Sequence, residues 1–312
     1  MDIVLLFPGQ GSQKPGMGRD LADAFPEARD VFGAVDDALG ASLSSLMFEG
    51  PAEELTLTKN AQPALLAHGA AVWSVVRTRV EPFVRAAAGH SLGEFTAYHA
   101  AGALSLSDAA RLVRRRGELM YETGLQRPGA MAALLGDLTR PIEEICAQAT
   151  SEVGLAVPAN YNCPGQLVIS GEVAGVERAM QLAKEAGVKR AMRLNVSGAF
   201  HSPLMETASD GLGQALARHA LATPQFPVWS NVTGEPVTEP ARATSLLLEQ
   251  LTSAVRWTDE ILAMAGWYPD ALYVEMGPGS VLSGLVKKIV PSLRTQACGT
   301  VADIEQLLGI VG

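Results

Sequence analysis

Between Gly129 and Val196 the chain places short apolar runs and longer amphipathic runs in an order that few small folds accept. GAMAALLG reads as a strand, PIEEICAQA as a helix, GLAVPANY as a strand, and Cys163-Pro164-Gly165 as a turn. QLVISG then reads as a strand, VAGVERAMQLAKEAG as a helix and KRAMRLNV as a last strand. This β-α-β-β-α-β order is the ferredoxin-like arrangement, which forms a compact unit of its own.

The flanks carry a different signal. Through the first 125 residues, strand-like runs such as IVLLF alternate with amphipathic helical runs, the pattern of a parallel α/β sheet. Helix and strand signals resume after the insert through FPVWSNVTG, a helix near Ala243 to Leu251 and the loop EMGPGSVLSGL. At 312 residues the chain exceeds the length at which one core usually stops growing. The expected organisation is an α/β large domain built from residues 1–127 and 197–312, a small domain over 128–196, and a ligand cleft between them.

A composition of 48% hydrophobic and 18% charged residues suits a globular α/β protein with close helix–sheet packing. MDIVLLFPGQ puts an acidic residue, Asp2, in front of its short apolar run where a secretory signal needs a basic start, and no apolar run is long enough to span a bilayer. A cytoplasmic location is expected. Cys146, Cys163 and Cys298 are odd in number and lack partners at metal-ligand spacing, so neither disulfides nor a metal site are expected. The formal net charge of −9 opposes general affinity for nucleic acid, and an acidic partner would have to dock on a local basic patch.

GHSLG, residues 89–93, has the G-x-S-x-G form of a strained strand-to-helix turn that exposes its serine. AAAG can end a buried strand and LGEFTAYHAAGA can open a helix, which would aim free N–H groups at whatever Ser91 carries. Leu92 N–H is the obvious oxyanion donor. The pentapeptide alone fits an ordinary turn as well as a nucleophile.

A serine needs a base, and the chain offers His68, His90, His99, His201 and His219. His90 adjoins Ser91 but should point away across the turn, while His68, His99 and His219 lie in helical runs that suit packing or surface roles. His201 follows the strand RLNV and the loop SGAF, and precedes Ser202-Pro203, an N-cap followed by proline at the first helical position. The positive end of that helix would favour the neutral imidazole a base requires.

In LSLSDAARLVRRRGELMYETG, Ser105 or Ser107 can serve as N-cap and Arg116 falls within the apolar stripe of Ala109, Leu112, Val113, Leu119 and Met120. A buried guanidinium is costly unless a carboxylate or phosphate pairs with it. Either Arg116 snorkels to the surface or pairs with an acid elsewhere in the chain, or its partner is a substrate carboxylate gripped by the arginine fork. FPGQGSQKPGMG matches neither G-x-x-x-x-G-K-[ST] nor G-x-G-x-x-G, so a phosphate cradle is not expected there. The loop can instead bring Gln10, through its backbone, beside the serine turn as a second oxyanion donor.

FPGQGSQ, NAQPAL, GHSLGE, RRRGELM, GAMAALLG, NYNCPGQLVISG, SGAFHSPLM, SNVTG and EMGPGSVLSGL, in this order from end to end, together resemble the malonyl-CoA:acyl carrier protein transacylases. The resemblance implies an α/β-hydrolase-like large domain with the ferredoxin-like unit inserted, and transfer of a malonyl group from malonyl-CoA to holo acyl carrier protein through a malonyl-serine. It implies Ser91 as nucleophile, His201 as base, Arg116 as clamp for the malonyl carboxylate, and Gln10 and Leu92 as the oxyanion hole. It further implies that Gln62, His90, Asn160 and Asn162 line or brace the cleft. Phe200 stands where a bulky aromatic goes with malonyl specificity.

A backbone carbonyl orients the histidine in that family, here expected from Ser253 in LTSAVRW, where many relatives have asparagine followed by proline. Coenzyme A thioester and phosphopantetheine enter as substrates, with no permanent cofactor. Lys184, Lys189, Arg190, Lys287 and Lys288 are candidates for a carrier-protein patch on the cleft rim. The alternatives are a discrete polyketide-synthase acyltransferase, an α/β-hydrolase esterase or thioesterase, which would normally bring an acid between serine and histidine and an HGGG-type loop, and an idle subunit that only binds carrier protein.

Overall fold

A computed structural model describes the chain from Met1 to Gly312. Its central strand, β1 (Ile3–Phe7), is buried along its whole length. Ile3, Leu5 and Phe7 join a core shared with Leu66 and Ala70 of the helix Thr58–Val80. Val4 and Leu6 join a second core with Ile261 of the helix Trp257–Trp267 and Val286 of the helix Val281–Ile289. A strand whose alternate residues serve two apolar layers belongs in the middle of a parallel sheet covered on both faces.

β1 is flanked by β2 (Val84–Gly89) on one side and β9 (Leu272–Met276) on the other, both parallel to it. β10 (Arg294–Cys298) continues the sheet beyond β9, and β7 (Val228–Trp229) and the antiparallel β8 (Pro236–Val237) extend it beyond β2. The order is β10-β9-β1-β2-β7-β8.

A second sheet, antiparallel throughout, holds β3 (Ala130–Leu135), β4 (Ala156–Cys163), β5 (Gln166–Gly171) and β6 (Arg190–Arg193) in the order β4-β5-β3-β6. The helices Ile142–Glu152 and Val173–Glu185 pack on it through Ile145, Ala149, Val176 and Leu182. Two backbone bonds stitch it to the rest of the chain, Tyr161 N–H to the Val255 carbonyl at 2.9 Å and Val255 N–H to the Ala159 carbonyl at 2.8 Å. The α/β class expected from the sequence is therefore the observed one, built on one mainly parallel and one antiparallel sheet.

Three local expectations need correction. The first 125 residues supply only two strands, β1 and β2, so strand and helix do not alternate there: five helices fill the chain from Arg19 to Val80, the longest of them, Thr58–Val80, buried from Asn60 through Trp73 with no polar stripe. EMGPGSVLSGL is a loop only at Gly277–Ser280: Glu275 and Met276 end β9, and the Glu275 carboxylate takes the N–H groups of Leu282 at 3.0 Å and Ser283 at 2.7 Å, fixing the next helix start. β6 stops at Arg193, short of KRAMRLNV, and releases the segment that leads to His201. No helix is long and apolar enough to cross a membrane.

Candidate active site

β1 and β2 end side by side, and the loops beyond their carboxyl ends carry Gln10 and Ser91. The turn after β2 is tight enough to require its glycines. A Cβ on Gly89 would lie 1.9 Å from the Gly93 carbonyl carbon, and one on Gly93 would lie 2.1 Å from the Phe7 carbonyl oxygen. Ser91 itself sits at φ 53°, with its N–H donating to Asn231 Oδ1 at 2.7 Å.

His201 is delivered from the opposite side. Ser202 caps the three-residue turn Pro203–Met205, accepting from Leu204 N–H, and its hydroxyl donates to the Ala199 carbonyl at 2.6 Å. His201, at φ 56°, brings Nε2 to 2.8 Å from Ser91 Oγ. Nδ1 lies 2.9 Å from the Gln250 carbonyl and 3.2 Å from that of Ser253. Two carbonyl acceptors assign the proton to Nδ1 and leave Nε2 as the lone-pair nitrogen facing the serine. The expected Ser253 carbonyl makes the longer contact, and Gln250 makes the shorter one.

Burial first, and the Arg116 charge second, push the His201 pKa down to about 3. The imidazole is therefore neutral across physiological pH, but the cause differs from the helix dipole inferred from sequence. Among the other histidines, His68 is buried in its helix, and His99 meets the Leu104 carbonyl at 3.0 Å. His219 does not lie inside a helix; it follows Glu206–Arg218 and meets Asp108 Oδ1 at 2.7 Å. His90 turns its Nε2 to Asn162 Oδ1 at 2.9 Å.

Ser105 is the N-cap of the helix Leu106–Gln126, which carries Arg116 with only 1% of its surface exposed. Nη1 donates to Gln62 Oε1 at 2.7 Å, and Nη2 donates to Gln250 Oε1 and to Ser91 Oγ, both at 3.0 Å. The burial lowers its pKa to about 10, so it stays charged.

A cavity of about 120 Å³ opens between these groups, lined by Gln10, Gln62, His90, Ser91, Leu92, Arg116, Asn160, Phe200 and His201 together with Met120, Met131, Leu194 and Val196. This is roughly the volume of four waters, room for a short acyl group. Asn162 stands behind it, on His90, and Ser253 contributes only its carbonyl. The Gln10 side chain is occupied by the Thr58 hydroxyl. The N–H groups of Gln10 and Leu92 have no acceptor within the chain.

Beneath the serine lies a polar network absent from the sequence reading. Asn231 Nδ2 donates to the Gly89 carbonyl and to Glu260 Oε1, both at 2.8 Å, and its N–H donates to Glu94 Oε2 at 3.2 Å. Gln250 Nε2 donates to Glu94 Oε2 at 2.6 Å and to the Ser91 carbonyl at 3.1 Å. Glu94 and Glu260 are fully buried, and burial raises both carboxyl pKa values, that of Glu94 to about 7. Glu94 stands in the first turn of the helix Gly93–Ala100, a position where an acid is ordinary, so its burial left no mark in the sequence.

A backbone-oriented neutral histidine on a strained serine turn equips a chain for acyl exchange, and residues 4–306 match the acyl transferase domain family. The chain is 47% identical over 97% of its length to a Bacillus subtilis protein named malonyl CoA-acyl carrier protein transacylase, covering 95% of that protein. It belongs to that family. The fold agrees with a Bartonella henselae acyl-carrier-protein-S-malonyltransferase, at TM-score 0.94 and 44% identity with both chains fully covered. A malonyl-transacylase solved in complex with a type II PKS acyl-carrier protein superposes at TM-score 0.94 with 39% identity, over 99% of this chain and 100% of that one.

Proposed function

We propose that the protein moves a malonyl group from malonyl-CoA to the phosphopantetheine thiol of holo acyl carrier protein by a ping-pong route through an ester on Ser91. The observation that carries the reading is Ser91 Oγ lying 2.8 Å from His201 Nε2 and 3.0 Å from Arg116 Nη2. His201 takes the serine proton as Oγ attacks the thioester carbonyl, and the unengaged N–H groups of Gln10 and Leu92 are suited to hold the oxyanion. The C–S bond breaks and the thiolate of coenzyme A leaves with that proton. The carrier thiol then attacks the ester by the reverse path.

Arg116 meets the distal carboxylate, and Gln62, His90, Asn160, Asn162 and Phe200 shape or brace the cavity. Coenzyme A and phosphopantetheine come and go as substrates, and no resident cofactor enters the scheme. An esterase reading is weaker, since Nδ1 of His201 faces carbonyls and no carboxylate. A polyketide pathway is a second reading, favoured by the neighbour solved with a polyketide carrier protein.

The same reading divides the chain into a ferredoxin-like unit at residues 128–196 and an α/β-hydrolase-like unit at 1–127 and 197–312, located in the cytoplasm. The strand order β4-β5-β3-β6 and a separate apolar core around Leu134, Ile145 and Ile169 support the division. Intact-mass measurement tests the chemistry. Malonyl-CoA should add one malonyl group, holo carrier protein should remove it, and Ser91→Ala should abolish it; a label that persists on the alanine variant excludes Ser91.

A further inference from the structure

Arg116 is fully buried, yet it takes part in none of the chain's ion pairs. Its two terminal nitrogens are held by carboxamide oxygens, Gln62 Oε1 at 2.7 Å and Gln250 Oε1 at 3.0 Å. Glu94, the one carboxylate that acts on the guanidinium through space, instead gives its Oε2 to Gln250 Nε2 and Asn231 N–H. An amide oxygen can fix the direction of an N–H group without cancelling the charge behind it.

Gln62 shows what part of the amide is used. Its Oε1 accepts from Arg116, whereas its Nε2 finds only Met120 Sδ at 3.3 Å, a weak acceptor. A glutamate of the same shape would hold Arg116 more strongly and would give up little at Met120. It would also complete the ion pair internally, and an arriving carboxylate would meet a spent cation.

We propose that Gln62, acting with Gln250, is a specificity-determining positioning residue: a neutral acceptor that fixes Arg116 over Ser91 while reserving its charge for a dicarboxylic acyl group. The proposal rests on the malonyl-transfer reading above. Gln250 adds a link to the base, because its side chain holds Arg116 while its own carbonyl receives the His201 Nδ1–H. The clamp and the base are thereby registered on one residue.

The test compares kcat/KM for serine loading from malonyl-CoA and from acetyl-CoA in wild type, Gln62→Glu, Gln62→Met and Arg116→Ala, with circular dichroism to verify folding. Gln62→Glu is expected to lower the malonyl-to-acetyl ratio by roughly 100-fold or more, as an internal ion pair displaces the substrate's. Gln62→Met should slow both donors and keep the preference for malonyl. If Gln62→Glu kept the preference, or if Gln62→Met erased it equally, neutrality would not be the operative property and the inference would fall. If the preference survived Arg116→Ala, the carboxylate-clamp reading itself would fall, a separate result. Should Gln62→Glu not fold, Gln62→Asp, which brings a carboxylate to the same side of the guanidinium, is read in the same way; Gln250→Glu is unsuitable because Gln250 Nε2 donates to Glu94 Oε2 and to the Ser91 carbonyl.

Discussion

Ser91 and His201 are the two non-glycine residues held at positive φ, 53° and 56°, and their side chains meet at 2.8 Å. Each of these backbone conformations costs on the order of 1–3 kcal/mol and persists only where neighbours over-determine it. For Ser91 those neighbours are Asn231 Oδ1 on its N–H and Gln250 Nε2 on its carbonyl. For His201 they are the two carbonyls on Nδ1.

Two variants at Ser91, both expected to be inactive, should therefore differ in stability. Ser91→Ala keeps the Cβ and its strain, whereas Ser91→Gly releases it, so the glycine variant should be the more stable by about 1 kcal/mol. Urea denaturation of both, at equal m-values, measures the gap. Equal midpoints would mean that the turn at φ 53° stores no strain for a side chain to release.

Much of this machinery was legible in the sequence because it is local. GHSLG announces a turn, Ser202-Pro203 announces a helix start beside His201, and Arg116 betrays itself by lying in an apolar stripe. Asn231, Gln250 and Glu260 left no such mark. Their partners lie far along the chain, Asn231 at 140 residues from Ser91 and Gln250 at 156 from Glu94, and no local period encodes a buried network of that kind. The antiparallel sheet was readable because its turn and alternating runs are contiguous. At the edge of the large sheet, β7 falls in the FPVWSNVTG run, but β8, two residues long, was not readable.

His201, the proposed base, should work without an acid limb at the usual imidazole value. His201 is held down to about 3 from an ordinary 6.5, by burial first and then by the Arg116 charge. Its neutral form then persists well below neutrality, so kcat/KM for serine loading should not fall as pH drops from 6.5 to about 5 in stopped-flow single-turnover assays. A bend centred near 6.5 would show that the imidazole titrates normally in the free enzyme.

Glu94 carries the opposite sign. Its carboxyl pKa is raised from 4.5 to about 7 by burial, so the unfolded chain gives up this proton more readily than the folded one. The stability it supports is full below about pH 4.5 and is lost as pH rises through about 7, a change on the order of 3 kcal/mol. Glu94→Gln removes the titration, so its stability relative to wild type should increase between about pH 5 and pH 8. Denaturation midpoints at those two values test it. A difference that stayed constant would mean that Glu94 ionises alike in both states.

Carrier-protein docking should depend on some of the basic residues named from the sequence and not on others. Lys288 acts through space on the Cys163 thiol, and Lys189 packs against Gly136, whose N–H is bonded to the Gly165 carbonyl at 2.9 Å. Both cations therefore flank the turn at residues 163–165, with Arg190 and Lys184 exposed nearby in sequence. Lys287 is different, because its Nζ donates to the Leu293 carbonyl at 2.6 Å and is committed to the connection between its helix and β10. Reversal of Lys184, Lys189, Arg190 and Lys288 to glutamate should raise KM for holo carrier protein several-fold at low salt, with the effect fading as salt screens it. Loading from malonyl-CoA should change little. Lys287→Glu alone should instead lower Tm and leave KM for the carrier nearly unchanged. An unaltered carrier KM in the fourfold variant at low ionic strength would remove this face from the docking surface and leave the partner's attraction to be sought elsewhere on an acidic protein.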